Sequence, residues 1–569
     1  MKVLFLHVDY IKFKPLKKAL KKIDDLSEKE KKGDGVKDAL AVLTAVEKSD
    51  SNVNEIVKEF VKNIKEIAES IKTKNIVLYP YAHLSSNLAS PEIAMDVLEK
   101  TGKELKKSFK IAKAPFGYYK EFELKVKGHP LAELSREISV KGDINTESKN
   151  YDSKQLLREI SKTKLDTSKL KDNDHRIIGK QMDLYSFSEV APGMVFWHNN
   201  GLIIRNKLID FWREIHKKSE YQEISTPQIL DKKLWQISGH WEKYKENIFL
   251  TEYEKRQFAV KPMNCPGGIL VYKNKPKSYK DLPLRVGELG VVHRQELSGV
   301  LGGLFRVIQF TQDDAHIFCT EKQIEDEISK IIDIINFTYK KLSLNFDHVE
   351  LSTRPKERIG SDKIWDKAEK ALENILKKKK IKYKLNKGDG VFYGPKIDFR
   401  IKDSLGRTWQ VSTIQLDFLM PERFNLEYID KDNKRKRPIM LHRVVYGSLE
   451  RFIGILIEHY KGRLPTWLAP IQVRVLSFTE RNTKHSKKII KQIEEKIPGL
   501  RIDSDFRDIT IQGKVKDAEL MRIPYIIVLG DKEEKENSLA VRTKGDKKIK
   551  SLDIESFVNN LKKEIEGRN

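Results

Sequence analysis

From about residue 190 to 465 the chain passes through one apolar, strand-like run after another, among them LPLRVGELGVVHR, LFRVIQFTQDDAHIF and TWQVSTIQLDFLM. Turns or long insertions join these runs, and helices do not alternate regularly with them. A parallel pair needs a long crossover, usually a helix, so this order predicts a largely antiparallel sheet. The pattern differs on either side. The first segment reads as a strand in VLFLHVDY, a charged stretch in SEKEKKGDG, a helix in VNEIVKEFVKNIKEIAESIK and a strand in NIVLYPYAHL, which predicts an α/β unit. Residues 141 to 175 are polar with few aromatics and read as a linker, with SKQLLREI able to hold a short helix. From WLAPIQVRVLSF onward, helix SKKIIKQIEEKI, strand LRIDSDF, a helix near 513 to 522, strand PYIIVLG and helix IESFVNNLKKEI predict a separate small α/β domain. The expected chain is multidomain, α/β and α+β, divided at 1–145, 146–190, 191–465 and 466–569.

Composition narrows the partners. The chain carries 109 Lys and Arg against 83 Asp and Glu, a formal charge of +26. Such a surplus favours a polyanion, nucleic acid above all, because each neutralised phosphate releases counterions. A lysine-rich solvated surface accounts for the same number, and the lysine runs at 377–380 and in DKDNKRKRP do not separate the two readings. Two cysteines cannot build a disulfide framework, which points to a reducing, cytoplasmic compartment. His7 and Asp9 interrupt the apolar N-terminus too early for a signal peptide, and no window approaches a membrane span.

Two stretches carry chemistry. In AVKPMNCPGG, Cys265 reads by itself as a buried apolar filler, with nucleophile and metal ligand as the alternatives. Arg294 in VVHRQELSG, Arg306 in LFRVIQF and Arg451 in VVYGSLERFIGIL sit among apolar residues, where a guanidinium must meet an anion. An internal carboxylate answers for any one of them, whereas three in one domain point towards phosphate. No GxxxxGK[ST] loop or GxGxxG fingerprint is present, so ATP use here would not involve a Walker loop.

VVHRQELSG with FRVIQFTQDDAHIF resembles motif 2 of class II aminoacyl-tRNA synthetases, GSLERFIGILIEHY resembles motif 3, and YQEISTPQIL, with Pro227, resembles motif 1. The ordered set KPMNCPG, TQDDAHIF, YGPKIDF, HRVVYGSLERF and PTWLAP is similar to threonyl-tRNA synthetases. NIVLYPYAHLSSNLASP and KAPFGYYKEFELKVKGHPLAELSRE resemble the editing domain of the archaeal type, a relative of D-aminoacyl-tRNA deacylases. The resemblance implies a deacylase-like editing domain, an antiparallel class II catalytic domain and an α/β anticodon-binding domain.

It also implies a site. Cys265, His316 and His442 become ligands of one Zn²⁺ per subunit, open on the fourth side, as catalytic or substrate-binding zinc is. Cys319 lies three residues beyond His316; on a strand it points the other way and belongs to the core, whereas on a helix both could bind one metal. Arg294, Glu296, Arg306, Gln410, Thr413 and Arg451 are implied ATP contacts, with Mg²⁺. Asp314, Tyr393, Lys396 and Gln415 are implied threonine contacts, and His240 in SGHW is implied in transfer to tRNA(Thr). His83, Tyr119, Lys120 and Glu133 match the editing pocket, while Arg507 and Arg542 are offered as anticodon contacts. Homodimerisation through motif 1 is also implied. The resemblance breaks at Gly268, where PGH is common, and at Gly302 and Ile308 in motif 2, which affects the ATP loop or acceptor-end contacts. Two rivals stand beside it. A noncatalytic RNA-binding paralogue should have lost a motif arginine or zinc ligand, and a deacylase fused to an RNA module should lack the synthetase motifs.

Overall fold

The computed structural model describes residues 1–20, 23–48, 50, 52–85, 87–138, 170–403, 406–546 and 548–568. They fall into two compact units, Met1–Tyr151 and Asp152–Asn569. The expected boundary near 145 and the short helix in SKQLLREI lie outside the described residues.

The first unit contains β1 (Lys2–Lys18), β2 (Asp34–Ala45), α1 (Val53–Ser70), β3 (Asn75–Pro80), α2 (Pro91–Leu105), β4 (Lys110–Lys113), β5 (Tyr118–Val126) and β6 (Glu133–Glu137). Its sheet runs β4-β3-β2-β1-β5, with β6 also paired to β1. The periodicity reading has no strand at β2. The last seven residues of β2 are all buried, so the strand lacks the polar alternation that marks a half-exposed one. Consequently α1 crosses over from β2 to its parallel neighbour β3, while β1 runs antiparallel to β2. Helix α1 buries Ile56, Phe60, Ile64 and Ile67 along one stripe, and the Asn52 side chain accepts from the Glu55 N–H at its start. The opposite sheet face buries Leu6, Val8, Ile11, Phe13, Leu43 and Tyr79.

The second unit begins with α3 (His175–Gln181) and α4 (Asn199–Lys218) and is built on an eight-stranded sheet. In chain order the parts are β7 (Gln222–Glu223), α5 (Cys265–Lys273), β8 (Leu284–His293), β9 (Gln309–Cys319), α6 (Ile324–Lys341), β10 (Phe346–Ser352), α7 (Asp362–Lys378), β11 (Tyr383–Asn386), β12 (Lys396–Lys402), β13 (Thr408–Asp417), β14 (Ile439–Ser448) and α8 (Leu449–His459). The sheet order is β11-β10-β12-β13-β14-β9-β8-β7. All pairings are antiparallel except the two edges, β10 with β11 and β8 with β7. One face packs on α4, α6, α7 and α8 in the largest core cluster, which includes Cys319.

The C-terminal part adds β15 (Val473–Ser477), α9 (Thr483–Lys496), β16 (Ile502–Asp505), α10 (Ile511–Leu520), β17 (Tyr525–Leu529), β18 (Leu539–Thr543), β19 (Ile549–Leu552) and α11 (Ile554–Gly567). The alternation read from sequence gives the parallel β16-β15-β17 half, and the antiparallel pair β18-β19 completes the sheet. No helix of the described residues is long and apolar enough to cross a membrane.

Candidate active site

The face of the large sheet away from the helices gathers residues that are far apart in sequence. His316, His442, Gln415 and Lys396 are successive cross-strand partners on β9, β14, β13 and β12. Asp314, Val444, Thr413 and Asp398 form the adjoining row. Strand side chains alternate between faces, so each pair two residues apart projects to the same side. Ala315, Ile317 and Cys319 take the other side; Cys319 is accordingly core, and the strand decides the His-x-x-Cys question in that direction.

Helix α5 brings Cys265 to this face. Its sulfur and one nitrogen each from His316 and His442 all lie within 4.8 Å of one another. Nε2 of His442 is 2.9 Å from Asp417 Oδ2, which leaves Nδ1 for the trio. The buried Nε2 of His316 has no hydrogen-bond partner among the described residues. An orphaned imidazole nitrogen, a thiol and a carboxylate-braced second imidazole form a donor set that fits Zn²⁺. Burial, then Asp314 and Asp417, push the bare Cys265 thiol well above its ordinary pKa. A cation would reverse that preference.

The trio borders a cavity of about 340 Å³ that Cys265 and His442 line together with Arg294, Glu296, Arg306, Asp314, Tyr393, Gln410, Thr413, Gln415 and Arg451. Arg306 pairs with Glu296 at 2.9 Å. The other two motif arginines meet carbonyls and rings: Arg294 Nε donates to Pro262 O at 3.1 Å and lies over Phe310, while Arg451 Nε donates to Phe305 O at 2.9 Å and lies over Trp409. Burial lowers both guanidinium pKa values, and Arg306 and Arg294 lower that of Arg451 further. An incoming anion would relieve that cost. Tyr393 donates to Gln415 at 2.8 Å.

Residues 1–138 match the archaea-specific editing domain of threonyl-tRNA synthetase, 249–460 the tRNA synthetase class II core domain (G, H, P, S and T), and 472–564 an anticodon binding domain. A solved structure of the RNA binding domain of threonyl-tRNA synthetase from Cryptosporidium parvum Iowa II is 40% identical, with a TM-score of 0.66, and the match covers 68% of this chain and 98% of that one. The chain belongs to the threonyl-tRNA synthetase family. ThrRS-1 from Aeropyrum pernix is similar at 28% identity and a TM-score of 0.61, covering 69% of this chain and 97% of that one. The threonine–tRNA ligase of Natranaerobius thermophilus is 52% identical over 396 residues, 70% of this chain and 62% of that protein. The chain thus spans under two thirds of the length of such curated relatives.

Other predicted residues lie outside the cavity lining. Lys396 is buried against Asp398 and Asp389. His240 is fully buried; its Nδ1 lies 2.8 Å from Ser238 Oγ, and its ring packs on Phe392 and Tyr393. Burial pushes its pKa down to about 3. Arg507 is bound by Asp505 and Asp517, and Arg542 by Glu519. Gly268 faces His316: a Cβ there would stand 3.2 Å from Nδ1. The space around Gly302 is open, and the backbone of Ile308 bonds to Gly193 O and accepts from Arg294 N.

In the first unit Lys120 Nζ donates to Pro115 O at 2.8 Å and Tyr118 O at 3.0 Å and lies over the Tyr79 ring. Burial pushes its pKa down to about 8. His83 joins this cluster through Tyr81, 5.5 Å between ring centroids. Glu133 is the cross-strand partner of Leu6 and shares its sheet face with Lys120. Strand alternation sends Tyr119, 65% exposed, to the opposite face, so the structure does not bring it together with Lys120.

Several supporting residues escaped the sequence reading. Asp398 accepts from Gln410 Nε2 at 2.7 Å and Thr413 Oγ1 at 2.8 Å, and Asn264 donates to Asp314 at 3.3 Å. Asp313 accepts from the Val445, Tyr446 and Gly447 N–H groups and pins the strand just before α8. Burial raises its pKa to about 7. The folded state therefore holds a proton that the unfolded chain releases near pH 4, so this group stabilises most in acid and loses that contribution as pH rises towards 7. We expect Asp313→Asn to remove a negative slope of at most about 1.4 kcal/mol per pH unit from urea-unfolding stability across that window.

Proposed function

We propose that this chain activates L-threonine with ATP and transfers it to tRNA(Thr). Its N-terminal unit hydrolyses mischarged seryl-tRNA(Thr). The observation that carries this reading is one cavity lined by Cys265 and His442 of the Cys265, His316 and His442 donor set together with Asp314 and three arginines. The functional divisions are editing 1–145, linker 146–190, catalysis 191–465 and anticodon binding 466–569.

In the first step the threonine carboxylate attacks the α-phosphorus in line, and pyrophosphate leaves. Arg294, Arg306 and Arg451 hold the phosphates and stabilise the charge that develops, with Mg²⁺ arriving on ATP. Asp314 receives the amino group, while Tyr393 and Gln415 confine the side chain. Asp398 keeps Gln410, Thr413 and Lys396 in register. In the second step the terminal ribose hydroxyl attacks the adenylate carbonyl and AMP leaves. His240 supports this step from behind Tyr393. Bound by Cys265, His316 and His442, Zn²⁺ would supply an electrophile for the amino and hydroxyl groups of threonine. Valine lacks that hydroxyl and is rejected strongly; serine keeps it and differs by a methyl worth only about 1–3 kcal/mol. Editing through His83, Lys120 and Glu133 meets that weakness.

Motif 1 also supports a homodimer, since Ile229, Leu270 and Val271 there and on α5 are 55%, 45% and 40% exposed. Two free cysteines agree with a cytoplasmic setting. The test is amino-acid-dependent ATP–pyrophosphate exchange with measured zinc content. Threonine should support fast exchange, serine slow exchange and valine none. A zinc-loaded sample without threonine-dependent exchange would overturn the reading.

A further inference from the structure

The loop between β8 and β9 carries Arg306 but is built from chain that resists order. Gly299, Gly302 and Gly303 fall within five residues, and Leu297 beside them is 80% exposed. Glycine-rich chain loses more freedom on folding than any other, so such a loop needs an external hold. The hold comes from α3. Nε2 of buried His175 accepts the Leu304 N–H at 3.0 Å, and its ring meets the Phe305 ring with centroids 4.3 Å apart. A Cβ on Gly303, which has φ +55°, would come within 2.3 Å of that nitrogen. The loop backbone therefore sits directly on the imidazole.

The other ring nitrogen fixes the tautomer. Nδ1 lies 2.8 Å from Glu458 Oε1 on α8, so the ring donates there and keeps Nε2 free to accept. Glu458 Oε2 in turn accepts from Arg407 at 2.8 Å. The Arg407 guanidinium covers the Phe305 ring, which stacks on Trp409 at 4.7 Å and 15°. The Phe305 carbonyl receives Arg451 Nε. His175 thus reaches both Arg306 and Arg451 through the Leu304–Phe305 segment without lining the cavity. Asp174, His175 and Glu458 also lie close enough together to suggest a metal. Arg176 on Asp174, Arg407 on Glu458 and the Leu304 N–H on His175 occupy those donors and supply positive charge instead.

We propose that His175 is a positioning residue for ATP, holding the Leu304–Phe305 segment so that Arg306 and Arg451 face the phosphates. This rests on the adenylation reading above. The test is pyrophosphate exchange by the full chain at varied ATP and varied threonine. His175→Ala should raise KM for ATP about 10-fold, the scale of one buried hydrogen bond, with KM for threonine and zinc content unchanged. His175→Gln, whose carbonyl oxygen can take the place of Nε2, should restore most of the loss. His175→Asn can still donate to Glu458 but lacks the acceptor; it should match alanine and carries the test if alanine does not fold. A merely structural histidine would lower the melting temperature in all three variants and leave KM for ATP alone, which would overturn the proposal. Wild-type protein without exchange would remove the adenylation reading, and this inference with it.

Discussion

Replacing Cys265 by alanine is expected to abolish zinc binding and threonine activation together, and His442→Ala should do the same. The trio supplies three donors, so losing one leaves two, a pair of imidazoles without Cys265 or a thiolate and one imidazole without His442, too few to hold the ion in an open site. Loss of an outer partner of a metal ligand typically costs 10–100-fold, so loss of a ligand should exceed about 100-fold in exchange rate. Asp417→Asn should fall in that lower range, because Asp417 orients the His442 ring through Oδ2 while its Oδ1 accepts the Leu419 and Met420 N–H groups. Cys319→Ser should keep its zinc, since that sulfur lies in the core on the other sheet face. Metal content and exchange measured on the same samples decide the matter: full exchange from a zinc-free Cys265→Ala protein would refute the ligand assignment.

Deleting residues 1–145 should let seryl-tRNA(Thr) accumulate while threonine activation persists. A pocket that tells serine from threonine by a single methyl discriminates only about 10- to 200-fold, so serine should be charged at roughly one part in 10 to 200 once editing is gone. The deletion is practicable because the first unit has its own cores, one on each face of its sheet, made entirely from its own residues. The readout is serine attached to tRNA at steady state, with threonine-dependent exchange as the control. Serine charging unchanged from the full chain would count against an editing role for this unit.

The fold was legible where local pattern and burial agree. Helix α1 declares itself through a 3.6-residue apolar stripe and an Asn cap, and the absence of regular crossover helices predicts the antiparallel centre of the large sheet. Strand β2 was missed because it is buried on both faces, and the run DALAVLTA has no alternation to read. The antiparallel partners β18 and β19 were missed beside the clearer βα alternation before them.

The site divides along another line. Motif resemblance named residues one at a time, and composition alone left Cys265 a candidate core thiol. What a residue at 265, 316 or 442 touches depends on register across strands that are far apart in the chain, and no local periodicity encodes it. The same holds for Asp398 and Asp417, which touch proposed site residues, and for His175, which reaches them through Leu304 and Phe305; none carries a chemical signature of its own. Register also separated Tyr119 from Lys120, neighbours in sequence that a strand sends to opposite faces. By itself the sequence determined which side-chain chemistries this protein owns and, outside β2, β18 and β19, where its main strands and helices fall, because those depend on residue type and short-range spacing. Only the tertiary structure decided which of them share one face and one cavity, because side chains distant in sequence meet only after the strands have paired.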